Sequence, residues 1–531
     1  MNTPFDLKGA PSLPDRQIMT SLDEASPGRA SPSRALMVWG TSSGAGKSWL
    51  TTALCRHLAN QGLRVAPFKA QNMSNNARVV AGPDGGFGEI GAAQYFQALA
   101  ARATPEVAMN PLLLKPEADT RSQVVLMGRP DAELSAMPWR ARSAAVWPRV
   151  QAALHDLAGR YDVLVMEGAG SPAEINLQAG DFVNLKAAEA VNARSLLVTD
   201  IDRGGAFAHL YGTWALLPQA HRARVAGFVL NKFRGDAALL APGPEQLRQM
   251  TGVPVVGVIP MQWDHGLPEE DGVFDDASRG AVGADVRVTV AVVAYPRVSN
   301  LDEFQPLKHI AGVRLVWARS PAELAGADWV VLPGSKATLA DLRWLRERGL
   351  DAAVCAHAAR GGRVLGICGG LQMLGEAVLD PDGVECGPGA SLADRSAPGL
   401  GLLPLVTQFG ARKTVRRTRL RFGALQGAWA PLRDVAVQGY EIHAGQTAWH
   451  PAMAAQATPR EVMPGLAWQS ADGAVLGCYL HGLFEDAAVL HALFGQAARS
   501  LDAVFDGLAA NLAALVDLEA VLAPIAENAR G

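Results

Sequence analysis

Two short stretches carry residue types at spacings that can do chemistry. The first is Gly40-Thr41-Ser42-Ser43-Gly44-Ala45-Gly46-Lys47-Ser48, directly after the apolar run Met37-Val38-Trp39. A strand, a glycine-rich turn and a helix start together leave backbone N–H groups aimed at one anion. Gly40, Thr41, Gly44 and Gly46 shape the turn, and Gly46 lets the backbone come close to a phosphate. Lys47 offers a point charge to the terminal phosphates and Ser48 a hydroxyl to Mg²⁺. The spacing is unusual, because Thr41 stands where the first glycine of such a loop belongs and Gly40 comes one place earlier. Further on, the apolar segment 162–166 runs into Glu167-Gly168-Ala169-Gly170. An acid at that carboxyl end is a candidate Mg²⁺ ligand. Asn231, which closes the segment 225–230, is a candidate to read the base of a bound nucleotide.

The second stretch is Arg363-Val364-Leu365-Gly366-Ile367-Cys368-Gly369-Gly370-Leu371-Gln372. An apolar strand entering Gly-x-Cys-x-Gly predicts a tight strand-to-helix turn with one side chain forced out at its apex. The following helix points its N-terminus at Cys368 and favours the thiolate. Backbone N–H groups at Gly369, with one from the Leu332-Pro333-Gly334-Ser335 loop, are expected to form an oxyanion hole. Gln372 and the Gly334 loop are candidates to hold the substrate. The base is sought in Tyr479-Leu480-His481-Gly482, again at the end of an apolar run. Cys368 and His481 are therefore the expected nucleophile–base pair.

The elements that must position these residues follow from periodicity. Short apolar runs at 35–39, 64–68, 162–166, 195–199, 225–230 and 253–259 predict buried strands. Amphipathic stretches such as 47–60 lie between them, which is the pattern of a parallel, doubly wound α/β sheet. A second strand series follows at 286–294, 313–317, 329–332 and 364–367, then a β-rich stretch ending in 474–480. The expected organisation is a flexible N-terminal tail (1–34), an ATP-binding domain (35–262), a linker (263–285), a second doubly wound domain (286–490) and a helical extension (491–531). The Ala- and Leu-rich helical spacing of 487–526 is expected to pack on the second domain.

Composition narrows the class. With 531 residues, 49% of them hydrophobic, the chain is long enough for two or three cores. A formal net charge of −3 supplies no basic surplus for a nucleic-acid backbone. No apolar stretch reaches the roughly 18 residues of a membrane span. The N-terminus lacks the basic-then-apolar order of a signal peptide. Five scattered cysteines show no zinc-ligand spacing. A cytoplasmic enzyme with reduced thiols, binding neither nucleic acid nor membrane, is the expectation.

At the two elbows the sequence resembles known families. The first half is similar to the dethiobiotin synthetase branch of P-loop proteins, which shares the early Gly40-Thr41, and the second to class I glutamine amidotransferases. Joined in this order they resemble the cobyric/cobyrinic acid synthase group, over about residues 35–486. The resemblance rests on Pro67-Phe68-Lys69-Ala70-Gln71-Asn72-Met73, Met109-Asn110-Pro111-Leu112-Leu113-Leu114-Lys115-Pro116, Glu167–Asn176, Asp200-Ile201-Asp202-Arg203-Gly204-Gly205, Asn231–Asp236, Leu332–Lys336 and Gly439-Tyr440-Glu441-Ile442-His443.

The resemblance implies a step of cobalamin biosynthesis that uses ATP, Mg²⁺ and glutamine. Adenosylcobyrinic acid a,c-diamide would receive amides on its b, d, e and g side chains, with one glutamine and one ATP used for each. It carries over the glutaminase roles to Cys368 and His481. Lys69 and Lys115 become candidates to meet substrate carboxylates or phosphates. Asp200, Asp202 and Arg203 follow another strand end and are expected to border the same crevice. Ordinary triad amidotransferases place a Glu two residues after the His; here that position is Leu483, as in the cobyric branch. Either Glu485 stands in, or no carboxylate orients His481. The neighbouring a,c-diamide synthase and a P-loop ATPase switch with an amidotransferase-like binding module are the alternatives.

Overall fold

The computed structural model describes residues 34–82, 84–118, 120–263, 265–268, 286–387, 390–449 and 459–522. The expected tail, apart from Arg34, and most of the expected linker lie outside the described residues.

Every strand expected in the first half is present, in a six-stranded sheet. Its order is Val255–Pro260, Val225–Phe233, Arg194–Asp200, Ala35–Gly40, Val163–Glu167 and Val65–Phe68, all parallel. Ala35–Gly40 is buried along its whole length, as a central strand covered on both faces must be. Its side chains alternate between two cores: Met37 and Trp39 face one, Leu36 and Val38 the other. From this strand the chain builds Val65–Phe68 and Val163–Glu167 on one side and then crosses to Arg194–Asp200 on the other, a reversal of strand order that opens a crevice at the carboxyl ends. Gly40, Glu167, Asp200 and Asn231 all fall at those ends.

The second sheet has seven strands. Val313–Ala318, Val288–Val293, Trp329–Leu332, Arg363–Ile367 and Val475–Cys478 are parallel. Ala467–Gln469 and Arg460–Met463 continue it antiparallel. Ile367 is in register with Cys478, so Cys368 and the chain leading to His481 leave the sheet side by side. A long hairpin, Leu405–Arg421 with Ala436–Trp449, arches from this lobe to the other. There it meets the short hairpin Ala77–Ala81 with Phe87–Gly91, and Arg417 Nε donates to the Val79 carbonyl at 3.0 Å.

The C-terminal helices correct the sequence expectation. Ala487–Phe494 does pack on the second lobe, through Val489 and Leu490. Leu501–Leu515 instead crosses to the first lobe and buries Val504, Phe505, Leu508 and Leu512 against helix Lys47–Asn60. Arg56, 1% exposed, donates to Asp506 at 2.8 Å and to Asp502. Spacing identifies the apolar stripe of an amphipathic helix, but not the surface that stripe will cover.

Leu508→Ala is expected to destabilise this docking by about 2–5 kcal/mol. Amide exchange should accelerate in 47–60 and 501–515 and stay unchanged in 363–374.

Candidate functional site: two crevices at strand ends

In the first crevice the loop after Ala35–Gly40 turns back on its own lysine. Lys47, 4% exposed, rests its Nζ on the carbonyls of Ser42 at 2.7 Å and of Ser43 and Gly170 at 3.2 Å. A Cβ on residue 40 would stand 3.0 Å from that Nζ and 2.9 Å from the Ser42 carbonyl. The early glycine thus makes room for the lysine, which explains the shifted spacing. Thr41 Oγ1 meets Thr199 Oγ1 at 2.9 Å and ties the loop to the neighbouring strand.

Two sequence candidates, Ser48 and Lys69, converge on a third, the buried acid Glu167, and Gln97 joins them. Glu167 Oε1 accepts from Ser48 Oγ at 3.0 Å and from Lys69 Nζ at 2.7 Å, and Oε2 accepts from Gln97 Nε2 at 2.6 Å. Burial opposes ionisation of Glu167 most strongly, yet Lys69, Lys47 and Gln97 together hold its carboxyl below the usual range. Asn231 donates its amide to the Ala45 carbonyl at 2.9 Å and packs on Gly46, where a Cβ would lie 2.0 Å from its Nδ2. Its contact here is with the loop itself. Asp200 is buried at its strand end and accepts from Lys232 Nζ at 3.1 Å. Asp202 pairs with Arg234, and the Arg203 side chain is 77% exposed, so these two lie on the rim.

Lys115 is not in this crevice. It is held by Glu89 at 2.8 Å, borders the second crevice together with Gln123, and so brings the first lobe to the edge of the cysteine site.

In that second crevice Cys368 has φ 50° and ψ −104°, a strained conformation for a residue with a Cβ. It caps helix Gly369–Leu374, and its N–H donates to the Cys478 carbonyl at 2.7 Å. Its neighbour Gly369 must be a glycine, because a Cβ there would lie 2.7 Å from the Ser335 nitrogen. That closeness brings the backbone of Gly369 and of the Gly334–Ser335 strand to one place beside the thiol, as an oxyanion hole requires. Gln372 lines the crevice with both ends anchored, accepting from Thr338 Oγ1 at 3.1 Å and donating to Tyr479 OH at 3.3 Å.

His481 opens onto the same crevice, and the carboxylate that orients it is one the sequence did not suggest. Glu303, fully buried, receives His481 Nδ1 on Oε1 at 3.0 Å and the Gly482 N–H on Oε2 at 2.9 Å. Glu485 does not reach His481; it bonds Arg78 at 2.6 Å. Leu483, at the usual acid position, is buried in the apolar core. The Gly439–His443 motif wraps the histidine: Tyr440 stacks on it at 5.4 Å, and a Cβ on residue 439 would strike the His481 carbonyl. Burial alone would push the His481 pKa down. The Glu303 charge and the interaction with the Cys368 side chain outweigh it and raise the ring to about 10. The pair therefore stabilises the fold fully below about pH 6.5, and that contribution is lost as pH rises towards about 10. A buried imidazolium beside a thiol at a helix N-terminus is an arrangement for nucleophilic attack on a carbonyl.

Glu303 lies 178 residues before His481 in the chain. No spacing rule links them; the only sequence signal is an acid soon after a strand of the same lobe. Among the described residues, no helix is long and apolar enough to cross a membrane.

Comparison with known proteins agrees with this division. Residues 36–271 match the CobQ/CobB/MinD/ParA nucleotide binding domain, and residues 289–489 the CobB/CobQ-like glutamine amidotransferase domain. A cobyric acid synthase from Acidovorax sp. (strain JS42) is 71% identical over 486 residues, covering 91% of this chain and 96% of that protein. One from Paracidovorax citrulli (strain AAC00-1) is 71% identical over 479 residues, covering 90% and 96%. One from Leptothrix cholodnii (strain ATCC 51168 / LMG 8142 / SP-6) is 62% identical over 488 residues, covering 90% and 94%.

Glu303→Gln removes the charge that keeps His481 protonated. Alkylation of Cys368 by iodoacetamide at neutral pH, followed on its peptide by mass, should slow in this variant once the ring pKa falls below the assay pH, because the thiolate then loses its imidazolium partner. An unchanged rate would show that Glu303 does not govern the pair.

Proposed function

Because the chain belongs to the cobyric acid synthase family, we propose that it amidates the b, d, e and g carboxylates of adenosylcobyrinic acid a,c-diamide, using one glutamine and one ATP for each amide. The chain is a glutamine-dependent ligase, and the finer reading is supported above all by one observation. The Cys368–His481–Glu303 array faces a crevice whose far wall, Lys115 and Gln123, belongs to the lobe that carries the phosphate loop.

In the glutaminase half, the Cys368 thiolate attacks the side-chain amide carbon of glutamine. The developing oxyanion meets the N–H groups of Gly369 and the Gly334–Ser335 strand. His481 gives its proton to the departing nitrogen, the C–N bond breaks, and ammonia and a thioester result. Water, deprotonated by His481, then cleaves the thioester to glutamate and free thiol. Glu303 holds the ring orientation through both steps by its bonds to Nδ1 and to the Gly482 N–H.

In the synthetase half a corrinoid carboxylate oxygen attacks the γ-phosphorus of ATP and ADP leaves. Ammonia then adds to the acyl phosphate carbon, and phosphate departs with the carboxyl oxygen. A carboxylate is a poor electrophile, and phosphorylation turns its oxygen into a leaving group. Transfer of this kind is catalysed mainly by positioning and charge neutralisation, the work of Lys47, Lys69 and the loop N–H groups. The Ser48 hydroxyl and Glu167 carboxylate are hard oxygen donors 3.0 Å apart, a set that suits Mg²⁺. These two residues would hold the ion, which would supply further neutralisation of the phosphates. Lys69, on the same Glu167 oxygen, belongs to the same balance of charge. Asp200 at its strand end is a further candidate wall of that crevice.

With ATP, glutamine and cobyrinic acid a,c-diamide, the protein is expected to add amides to all four remaining side chains, counted by mass. Cys368→Ser should abolish the glutamine-driven reaction and leave the ammonium-driven one within about threefold. Loss of both together, or addition confined to positions a and c of cobyrinic acid, would overturn the assignment.

A further inference from the structure

The glutaminase array is not held by its own lobe alone. Asp302, immediately before Glu303, is 1% exposed, and Tyr440 stacks on His481 with its ring 19° from parallel. Glu485 sits in the turn Leu483–Glu485 that follows His481. All three converge on one side chain of the other lobe. Arg78, in strand Ala77–Ala81 and 2% exposed, donates Nη1 to Tyr440 OH at 2.8 Å and Nη2 to Glu485 Oε1 at 2.6 Å and to Asp302 Oδ2. Its plane is packed by the rings of Phe96 at 5.1 Å and Tyr440 at 5.0 Å. The backbone around it is tied across the seam as well. Asn300 Nδ2 donates to the Ala77 carbonyl at 3.1 Å and to Tyr440 OH at 2.7 Å, and the Leu301 N–H donates to Asn76 Oδ1 at 3.0 Å.

We propose that Arg78 is a positioning residue through which the synthetase lobe sets the glutaminase geometry, so that His481 and Glu303 are aligned only while the lobes are docked. The inference rests on the reading that Cys368 hydrolyses glutamine. Its physical basis is the planar guanidinium fork, which serves three acceptors in fixed directions where an ammonium cannot. Each acceptor is rigidly joined to the triad: Asp302 through the chain to Glu303, Tyr440 through its ring to His481, Glu485 through the turn to Gly482. Burial raises the Asp302 and Glu485 carboxyls above their usual range, with the Arg78 charge opposing. Without that cation the buried Asp302 would stand beside Glu303 uncompensated, and the segment 300–303 would have to move.

The test uses the full chain with Arg78→Met, Arg78→Lys and the milder Tyr440→Phe, which keeps the ring and removes only the hydroxyl. Glutaminase kcat should fall on the order of 100-fold in Arg78→Met, the effect of misplacing a catalytic group by about an ångström. KM for glutamine and ammonium-driven amidation should each stay within about threefold. Arg78→Lys should recover part of kcat, and Tyr440→Phe should lose several-fold in kcat alone. Unchanged glutaminase kcat in Arg78→Met would overturn the inference, as would parallel loss of glutaminase and ammonium-driven activity in all three variants. Should the unsubstituted protein hydrolyse no glutamine, the proposed function itself fails; an active parent with an equally active Arg78→Met sinks the positioning role alone.

Discussion

A carboxylate and an imidazolium, both buried, face each other at 3.0 Å in Glu303 and His481. Neither charge is tolerable there alone, and each makes the other stable. The neighbourhood obeys that constraint. The Gly482 N–H satisfies the second Glu303 oxygen, the Tyr440 ring covers the imidazole, and the strained backbone of Cys368 brings its thiol to the open side. The strain at Cys368 is sustained by the register that pairs Ile367 with Cys478 and by glycines that let the turn pack against the Gly334–Ser335 strand.

Both crevices use the same device. A parallel sheet delivers several strand ends to one rim, where the side chains after each strand can meet although they are distant in sequence. In the first lobe, Lys47, Lys69 and Glu167 meet there, and in the second Cys368 and His481 do so. Glycine-rich turns then expose backbone N–H groups where anionic charge must be received.

The seam between the lobes is built from compensated charge. Glu89 is fully buried; burial pushes its carboxyl up, but Lys115 and Lys413 outweigh that and hold it at about 2. Lys413 itself is lowered by burial to about 8 despite Glu89. Lys336 bonds Glu117 across the same boundary at 2.9 Å. Buried pairs contribute little net stability against apolar packing, but they are unforgiving of misplacement. A seam of this kind favours one docking geometry, which the proposed transfer of nitrogen between the two sites would need. The C-terminal helix Leu501–Leu515 adds an apolar tie by returning from the second lobe to the first.

The parallel strands of both sheets, helix 47–60, the phosphate loop, the cysteine elbow and the histidine at its strand end were legible in the amino-acid sequence, whereas the antiparallel strands Ala467–Gln469 and Arg460–Met463 were contained only in an undivided β-rich stretch. Each is a local matter: an apolar run of strand length, glycines flanking one reactive residue, a lysine and serine at a helix start. Three features were not legible. Glu303 takes the orienting role that Glu485 was a candidate for, Lys115 joins the cysteine crevice instead of the phosphate crevice, and the last long helix covers the first lobe rather than the second. All three are choices of partner between segments remote in the chain. Periodicity and spacing say what a segment can offer, a charge or an apolar stripe, because those depend on neighbours within a few residues. Which buried charge meets which is decided only when desolvation forces every one of them to find a counterpart in the packed molecule.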